Sequence, residues 1–139
     1  MASRAYPFLH FASGVDWKDV KPDILAGLNR LGASQKTVIT ITSGFRSVAE
    51  QQYLWDNSKK LGLVRGKTVA KPGSSDHNFG AAVDATVGGR PIGNVFSSKA
   101  FAKVGLKYLP GDPVHVTYLS SRKVAGQRHL LQRSSKTPQ

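Results

Sequence analysis

The ten residues from Ser75 to Asp84 constrain this chain more than any other stretch of it. They place His77 seven residues before Asp84 and separate the two with a run of small residues from Gly80 to Ala82. Small residues let the backbone turn closely past other groups and return. From Ala82 onward the side chains alternate with a period of two, which predicts a strand that carries Asp84 on one face.

A second stretch, residues 114–119, is rich in β-branched and aromatic residues and predicts another strand. His115 lies in this stretch between two valines. If the two strands are neighbours, Asp84 and His115 point at the same place. A catalytic zinc ion takes three ligands such as imidazole nitrogen and carboxylate oxygen and keeps one position for water. Because the chain has no cysteine, the pattern predicts one zinc ion held by His77, Asp84 and His115.

Taken singly, these residues also have structural interpretations. A histidine between two valines, as at His115, is more often buried and hydrogen-bonded than a metal ligand. Asp112 lies in a Pro-Gly-Asp-Pro sequence, which is typical of a turn. The combination of these residues favours a zinc site, because the chain has only eight acidic residues and two of them, Asp84 and Asp112, stand where a zinc hydrolase needs them. We therefore expect Asp112, three residues before His115, to act as the general base.

The positions of Ser75, His77, Gly80, Ala82 and Asp84 match the pattern S-x-H-x-x-G-x-A-x-D. This pattern resembles the signature of the zinc D-alanyl-D-alanine carboxypeptidase and dipeptidase family of peptidoglycan peptidases, which includes phage L-alanyl-D-glutamate endolysins. Other blocks similar to the family's occur in the same order and extend the resemblance over about half the chain, namely 43–47 with Glu50 and Gln51, 70–73, and Asp112-x-x-His115. Asp112 stands where many members carry Glu. At this position the chain is more similar to the endolysin branch of the family.

The resemblance implies a single α+β domain with a small, mainly antiparallel sheet flanked by helices and a mononuclear zinc site. It implies a zinc metallopeptidase that cleaves a stem-peptide bond involving D-amino acids, either as an L-Ala-D-Glu endopeptidase or as a D,D-carboxypeptidase. Arg46 would bind a substrate carboxylate or the developing oxyanion, although a solvated surface arginine is the simpler interpretation. Ser75 would hold the substrate backbone or orient a ligand, or it is only a turn serine. A non-catalytic, zinc-containing binding module is the alternative function.

Several elements follow from local patterns. Residues 37–42 predict a strand, and Ser47 with Glu50 predicts a capping box at the start of a helix that extends to about residue 61. Another helix is expected from Asp16 to a C-cap at Gly32. Residues 63–73, with their three basic side chains, predict a loop at one rim of the cleft.

Length and composition bound the organisation of the chain. Its 139 residues fit one domain, and we expect a peptidase domain over 1–119 and a basic, partly frayed extension over 120–139. No apolar run approaches the roughly 18 residues of a membrane helix, and the first ten residues lack the apolar core of a signal peptide. We therefore expect no transmembrane segment, and either release from a host cytoplasm to the cell wall through a holin or carriage on a virion.

The chain carries 20 Lys and Arg against 8 Asp and Glu, a net charge of +12. Such a charge draws a protein to polyanions, and we expect bacterial peptidoglycan and other anionic envelope polymers as partners of a monomer. A nucleic-acid binder would rest on charge alone, because no nucleic-acid motif accompanies it and the aromatic residues are not interleaved with the basic ones. We therefore expect no specific nucleic-acid partner.

Overall fold

A computed structural model describes residues 5–119 of the chain. The predicted extension 120–139 lies outside the described residues. The described part contains six strands and three α-helices, together with two short 3₁₀ helices at Asp76–Phe79 and Ile92–Asn94. In chain order, the strands and α-helices are β1 (Leu9–Phe11), α1 (Pro22–Gln35), β2 (Ile39–Ser43), α2 (Val48–Asp56), β3 (Ala82–Val87), β4 (Arg90–Pro91), α3 (Ser98–Ala102), β5 (Leu106–Leu109) and β6 (Asp112–Tyr118).

The strands form one sheet in the order β1-β2-β3-β6-β5, and the short β4 pairs with β3. β1 is parallel to β2, whereas the pairings of β2 with β3, β3 with β4, β3 with β6 and β5 with β6 are antiparallel. The structure is therefore the single small α+β domain that was predicted, but its sheet is mixed. The parallel pair was not predicted, because three residues of β1 are too few to show an alternating pattern.

Helix α1 covers one side of the sheet with a row of buried aliphatic side chains, Ile24, Leu25, Leu28 and Leu31. The predicted start at Asp16 was wrong, since the helix begins at Pro22, where proline's fixed φ and missing N–H cost nothing. Gly32 was also wrong as the C-cap. It lies inside the helix, where an added Cβ would come within 2.8 Å of the Thr37 carbonyl oxygen, and Lys36 is the left-handed residue that ends the helix.

The predicted capping box is present at the start of α2. The Ser47 hydroxyl accepts a hydrogen bond from the Glu50 amide (3.1 Å), and the Glu50 carboxylate accepts one from the Ser47 amide (2.9 Å). The helix ends at Asp56 and not near residue 61. The Asn57 side chain donates to the Tyr53 carbonyl oxygen (2.8 Å), and such local side-chain bonds compete with continuation of a helix.

None of the helices within residues 5–119 has the length and apolar character needed to cross a membrane.

Candidate metal centre

Strands β3 and β6 bring two of the predicted ligands together. They are antiparallel neighbours in which Asp84 lies directly opposite His115, so both side chains leave the sheet on the same face. The Nδ1 atom of His115 is 3.8 Å from Oδ1 of Asp84. The sequence patterns predicted that two neighbouring strands each present one of these side chains at the same place, and β3 and β6 are arranged in this way.

The third predicted ligand, His77, lies on the 3₁₀ helix that precedes β3. Ser75 caps this helix, and its hydroxyl accepts a hydrogen bond from the His77 amide (3.2 Å). Gly80 ends the helix with φ of +67°, and a Cβ at this position would overlap the carbonyl oxygen of Asp19. Only glycine satisfies both conditions. The short helix therefore holds the buried His77 in one position between two fixed ends.

The hydrogen bonds of His77 determine which ring nitrogen faces the centre. Its Nδ1 is 2.8 Å from the carbonyl oxygen of Gly44, and because a carbonyl can only accept, Nδ1 carries the proton. Nε2 then points at Oδ1 of Asp84, 3.1 Å away. A backbone carbonyl that fixes the tautomer in this way is a common support for a metal-binding histidine.

The three side chains fit a metal ion. His77, Asp84 and His115 each place one possible ligand atom within 4.8 Å of the others. Of the two ring nitrogens of His115, Nδ1 lies 3.8 Å from Asp84 and faces the group, whereas Nε2 lies 3.9 Å from Oδ2 of Asp76. In the neutral tautomer of His77, the lone pair on Nε2 faces a carboxylate oxygen, an arrangement that a shared cation stabilises. Two nitrogens and one oxygen are also a donor set that zinc accepts.

The electrostatics of the group keep it in the form that binds metal. Burial alone would raise the pKa of the Asp84 carboxyl, but His77, His115 and Arg46 bring it below its ordinary value. Burial lowers the pKa of the His115 imidazole, against the opposing charges of Asp84 and Asp112. The centre therefore favours an ionised carboxylate and a neutral imidazole at His115, which are the states that metal coordination requires.

Arg46 lies beside this centre and not on the solvated surface. Its Nη1 donates to the Gln51 side-chain oxygen (2.9 Å), and its Nη2 donates to the Ser43 hydroxyl (2.8 Å). The same Nη2 is 3.7 Å from Oδ2 of Asp84. Arg46 occupies the junction between β2 and α2, so a strand on one side and a capped helix on the other fix its backbone.

Asp112, the predicted base, is the first residue of β6 and lines the same cleft as the three possible ligands. It is partly buried. Burial, followed by the negative charge of Asp84, raises the pKa of Asp112, while His115, His77 and Arg46 act in the opposite direction.

Two residues of the site were missed at the sequence level. Gln51 was quoted only as part of a similar block, but its side chain is fully buried and also donates to the Ala70 carbonyl oxygen (2.8 Å). Asp76 was assigned no role, yet its Oδ2 is 3.9 Å from Nε2 of His115. No pattern in the neighbouring sequence indicates a role for either residue, because the contacts of both are with segments distant in the chain.

The cleft above the centre has a volume of about 440 Å³, within the usual range of small-molecule sites. Lys67 and Lys71 line it, as expected of the predicted basic rim. Arg65 does not line it, since its guanidinium lies over the ring of Trp55, 5.0 Å from the centroid. Besides these lysines, the lining comprises Arg46, Gln51, Trp55, Gly66, Thr68, Ala70, Ser74, Ser75, Asp76, His77, Asp84, Leu109, Asp112 and His115.

The described fold is a small α+β domain whose cleft gathers two histidines and an aspartate that could hold a metal ion. Residues 20–105 match the VanY family, described as D-alanyl-D-alanine carboxypeptidase, and the chain belongs to that family. The matched stretch contains His77 and Asp84, whereas Asp112 and His115 follow it.

Solved structures share the fold. VanY from a VanB-type resistance cassette, determined with Zn(II), is 21% identical over 79% of this chain and 78% of its own, with a TM-score of 0.56. The LD-carboxypeptidase LdcB is 18% identical over 88% of this chain and 69% of its own, with a TM-score of 0.62. The L-Ala D-Glu endopeptidase ChiX of Serratia marcescens is 15% identical over 82% and 92%, with a TM-score of 0.56. A comparison with curated proteins found no match.

Proposed function

We propose that the protein is a zinc-dependent peptidoglycan peptidase that hydrolyses a stem-peptide bond involving a D-amino acid. The observation that carries this proposal is the convergence of His77, Asp84 and His115 in a cleft of a VanY-family chain. Proteins with the same fold include the D,D-pentapeptidase VanY, solved with Zn(II), and an L-Ala D-Glu endopeptidase. Both the L-alanyl-D-glutamate bond and a terminal D-alanine bond fall within the proposal.

His77, Asp84 and His115 would hold one zinc ion, which when bound polarises the scissile carbonyl and makes a water molecule acidic near neutral pH. Asp112 accepts the proton of the attacking water and passes it to the leaving amine. Asp112 lines the same cleft as these three side chains, which supports this role.

Two further residues support this chemistry. The guanidinium of Arg46, held by Gln51 and Ser43, offsets the negative charge that develops on the carbonyl oxygen. The contact of the Ser75 hydroxyl with the His77 amide is that of a turn serine, and through it Ser75 would orient a ligand and not hold the substrate backbone.

The setting proposed for this activity is phage-derived lysis of the bacterial cell wall, by a monomer that reaches the wall through a holin or on a virion. The support for it is the net charge of +12, which favours adsorption to anionic envelope polymers. A non-catalytic zinc module that binds the wall is the alternative, and the same metal centre would suit it.

Replacement of Asp112 by Asn tests the proposal. The change keeps the shape of the side chain but removes the base, so we expect kcat on a stem peptide to fall about 10²- to 10⁴-fold while the zinc content stays at one ion. Asp56→Asn, the same change at the exposed end of α2, is the matched control and should leave kcat unchanged.

The zinc content, from atomic spectroscopy, and the rate, from chromatography of the products, are measured on the same samples. Full activity in the Asp112→Asn variant would remove Asp112 from the base role. A zinc-loaded wild-type protein that cleaves no stem peptide would favour the non-catalytic module.

A further inference from the structure

Two lysines of the cleft have no use in the mechanism above. Lys67 and Lys71 line the cleft from the segment that joins α2 to the 3₁₀ helix. Within residues 5–119, the ion pairs are those of Arg46, His77 and His115 with carboxylates, and neither lysine ammonium takes part. Two cations that line a cleft and pair with no carboxylate in the described part of the chain are available to a ligand.

The backbone that presents Lys67 is fixed by its own turn. The Val64 carbonyl accepts hydrogen bonds from the amides of Lys67 (3.0 Å) and Thr68 (2.9 Å), and the Thr68 hydroxyl accepts one from the Val64 amide (2.7 Å). The neighbouring Val69 is only 2% exposed. The position of Lys67 therefore follows from a closed turn anchored by a buried valine.

Two contacts attach this segment to helix α2. The Arg65 guanidinium donates to the Trp55 carbonyl (3.0 Å) and lies over the Trp55 ring. The buried Gln51 donates to the carbonyl of Ala70, the residue before Lys71. The segment that carries Lys67 and Lys71 is therefore fixed to helix α2, the same helix that orients Arg46.

The side chain of Lys67 reaches across the cleft. A Cβ placed on Gly111 would lie 4.0 Å from the Cε atom of Lys67. Gly111 is in the turn between β5 and β6, directly before Asp112. The lysine therefore approaches the end of the cleft at which the proposed base is located.

The balance of charge points to an anionic ligand. The cleft is lined by three basic residues, Arg46, Lys67 and Lys71, and three acidic ones, Asp76, Asp84 and Asp112. A divalent ion bound by His77, Asp84 and His115 makes the lined cleft positive. Arg46, held by Gln51 and Ser43 and facing Asp84, is assigned to the developing charge on the carbonyl oxygen, so the lysines are the cations left for a carboxylate of the substrate.

We propose that Lys67 and Lys71 form a carboxylate-binding subsite, which selects stem peptides with a free carboxylate close to the scissile bond over the same peptides with a carboxamide there. The inference rests on the proposed function for its substrate class. A stem peptide offers two such groups, the α-carboxylate of its γ-linked D-glutamate and its C-terminal carboxylate. Either supplies the charge-assisted hydrogen bonds that an ammonium group favours.

The test measures binding without turnover. The full chain, zinc-loaded and carrying Asp112→Asn, is titrated by calorimetry with L-Ala-γ-D-Glu-L-Lys-D-Ala-D-Ala and with two analogues. One analogue has a carboxamide at D-glutamate and the other has a carboxamide at the C-terminus. We expect the parent peptide to bind roughly 10- to 100-fold more tightly than one of the analogues, as is typical of a hydrogen bond to a charged group. The analogue that binds more weakly shows which of the two carboxylates the lysines bind.

The same titrations are repeated after adding Lys67→Met and Lys71→Met together, since methionine keeps an unbranched side chain without charge. We expect the preference for the carboxylate to fall to about twofold or less, chiefly because the parent peptide binds more weakly. Lys103→Met, outside the cleft lining, is the matched control and should keep the full preference.

A preference that survives in the double variant would overturn the subsite, as would an equal loss of affinity for the parent peptide and both analogues. Failure to detect binding of the parent peptide would also overturn it. Cleavage by the wild-type protein is assayed separately. If the preference for the parent peptide depends on the lysines but the wild-type protein cleaves no peptide, the proposed function is wrong and the subsite stands. If the wild-type protein cleaves the peptide but the preference does not depend on the lysines, only the subsite is wrong.

Discussion

At the scale of single residues, Gln51 links Arg46 to the segment that carries Lys67 and Lys71. Its oxygen accepts from Arg46, and its nitrogen donates to the carbonyl of Ala70, which lies between Lys67 and Lys71 in the chain. The side chain is fully buried, so an apolar side chain in its place would face both partners with no hydrogen-bonding group. The neutral side-chain amide of Gln51 therefore orients Arg46 and positions the segment that carries Lys67 and Lys71.

Replacement of Gln51 by Leu keeps the volume of the side chain but leaves both partners without their hydrogen bonds. We expect the free energy of unfolding to fall by about 1–3 kcal/mol, the usual cost of a buried polar group left unpaired. We also expect kcat/KM on a stem peptide to fall about tenfold or more, because Arg46 is no longer oriented toward the reacting carbonyl.

Denaturant unfolding and steady-state kinetics check this prediction. The matched control is Gln52→Leu, at the next residue of α2, whose exposed side chain bonds only to Asp56 within the described part of the chain. Equal effects of the two leucines on stability and on rate would contradict the role assigned to Gln51.

At the scale of secondary structure, the elements with local signals were predictable. The capping box at Ser47 fixes the start of α2 through two hydrogen bonds between residues three apart. Alternation along β3 indicated the strand and the face that carries Asp84. For the same reason, the proximity of His77, Asp84 and His115 was predictable, because the three residues lie on or beside two patterned strands.

Elements that depend on distant partners could not be predicted in this way. Three residues of β1 form a strand because β2 offers a parallel partner, and nothing in a three-residue pattern indicates that pairing. Gly32 has the character of a C-cap in sequence, yet the close approach of Phe8 and Thr37 explains why glycine is needed inside α1. Gln51 and Asp76 were missed for the same reason, since both act across the fold.

At the scale of the whole molecule, charge is divided unevenly. All eight acidic residues lie within residues 5–119, and three of them line the cleft together with three basic ones, so the excess of 12 positive charges belongs to residues outside the cleft lining. Such a distribution favours adsorption to an anionic wall without blocking a cleft that holds its own carboxylates.

We therefore expect lysis of bacterial cells to slow by about tenfold when the ionic strength rises from about 0.01 M to about 0.15 M, because the Debye length shortens from about 30 Å to about 8 Å. Hydrolysis of a short uncharged peptide should change little over the same range. Turbidity clearing and peptide chromatography measure the two rates. If salt slows both reactions equally, or slows neither, charge does not bring the protein to the wall.

The account depends most on metal-dependent cleavage at the centre formed by His77, Asp84 and His115. Its most direct test is digestion of purified peptidoglycan by the protein as isolated, after removal of metal with a chelator, and after addition of one equivalent of zinc. Mass spectrometry of the released fragments gives both the rate and the new termini. We predict that release stops on chelation and returns with zinc, with new termini at one type of stem-peptide bond. Release that continues after the metal is removed, or a zinc-loaded protein that releases nothing, would contradict the account.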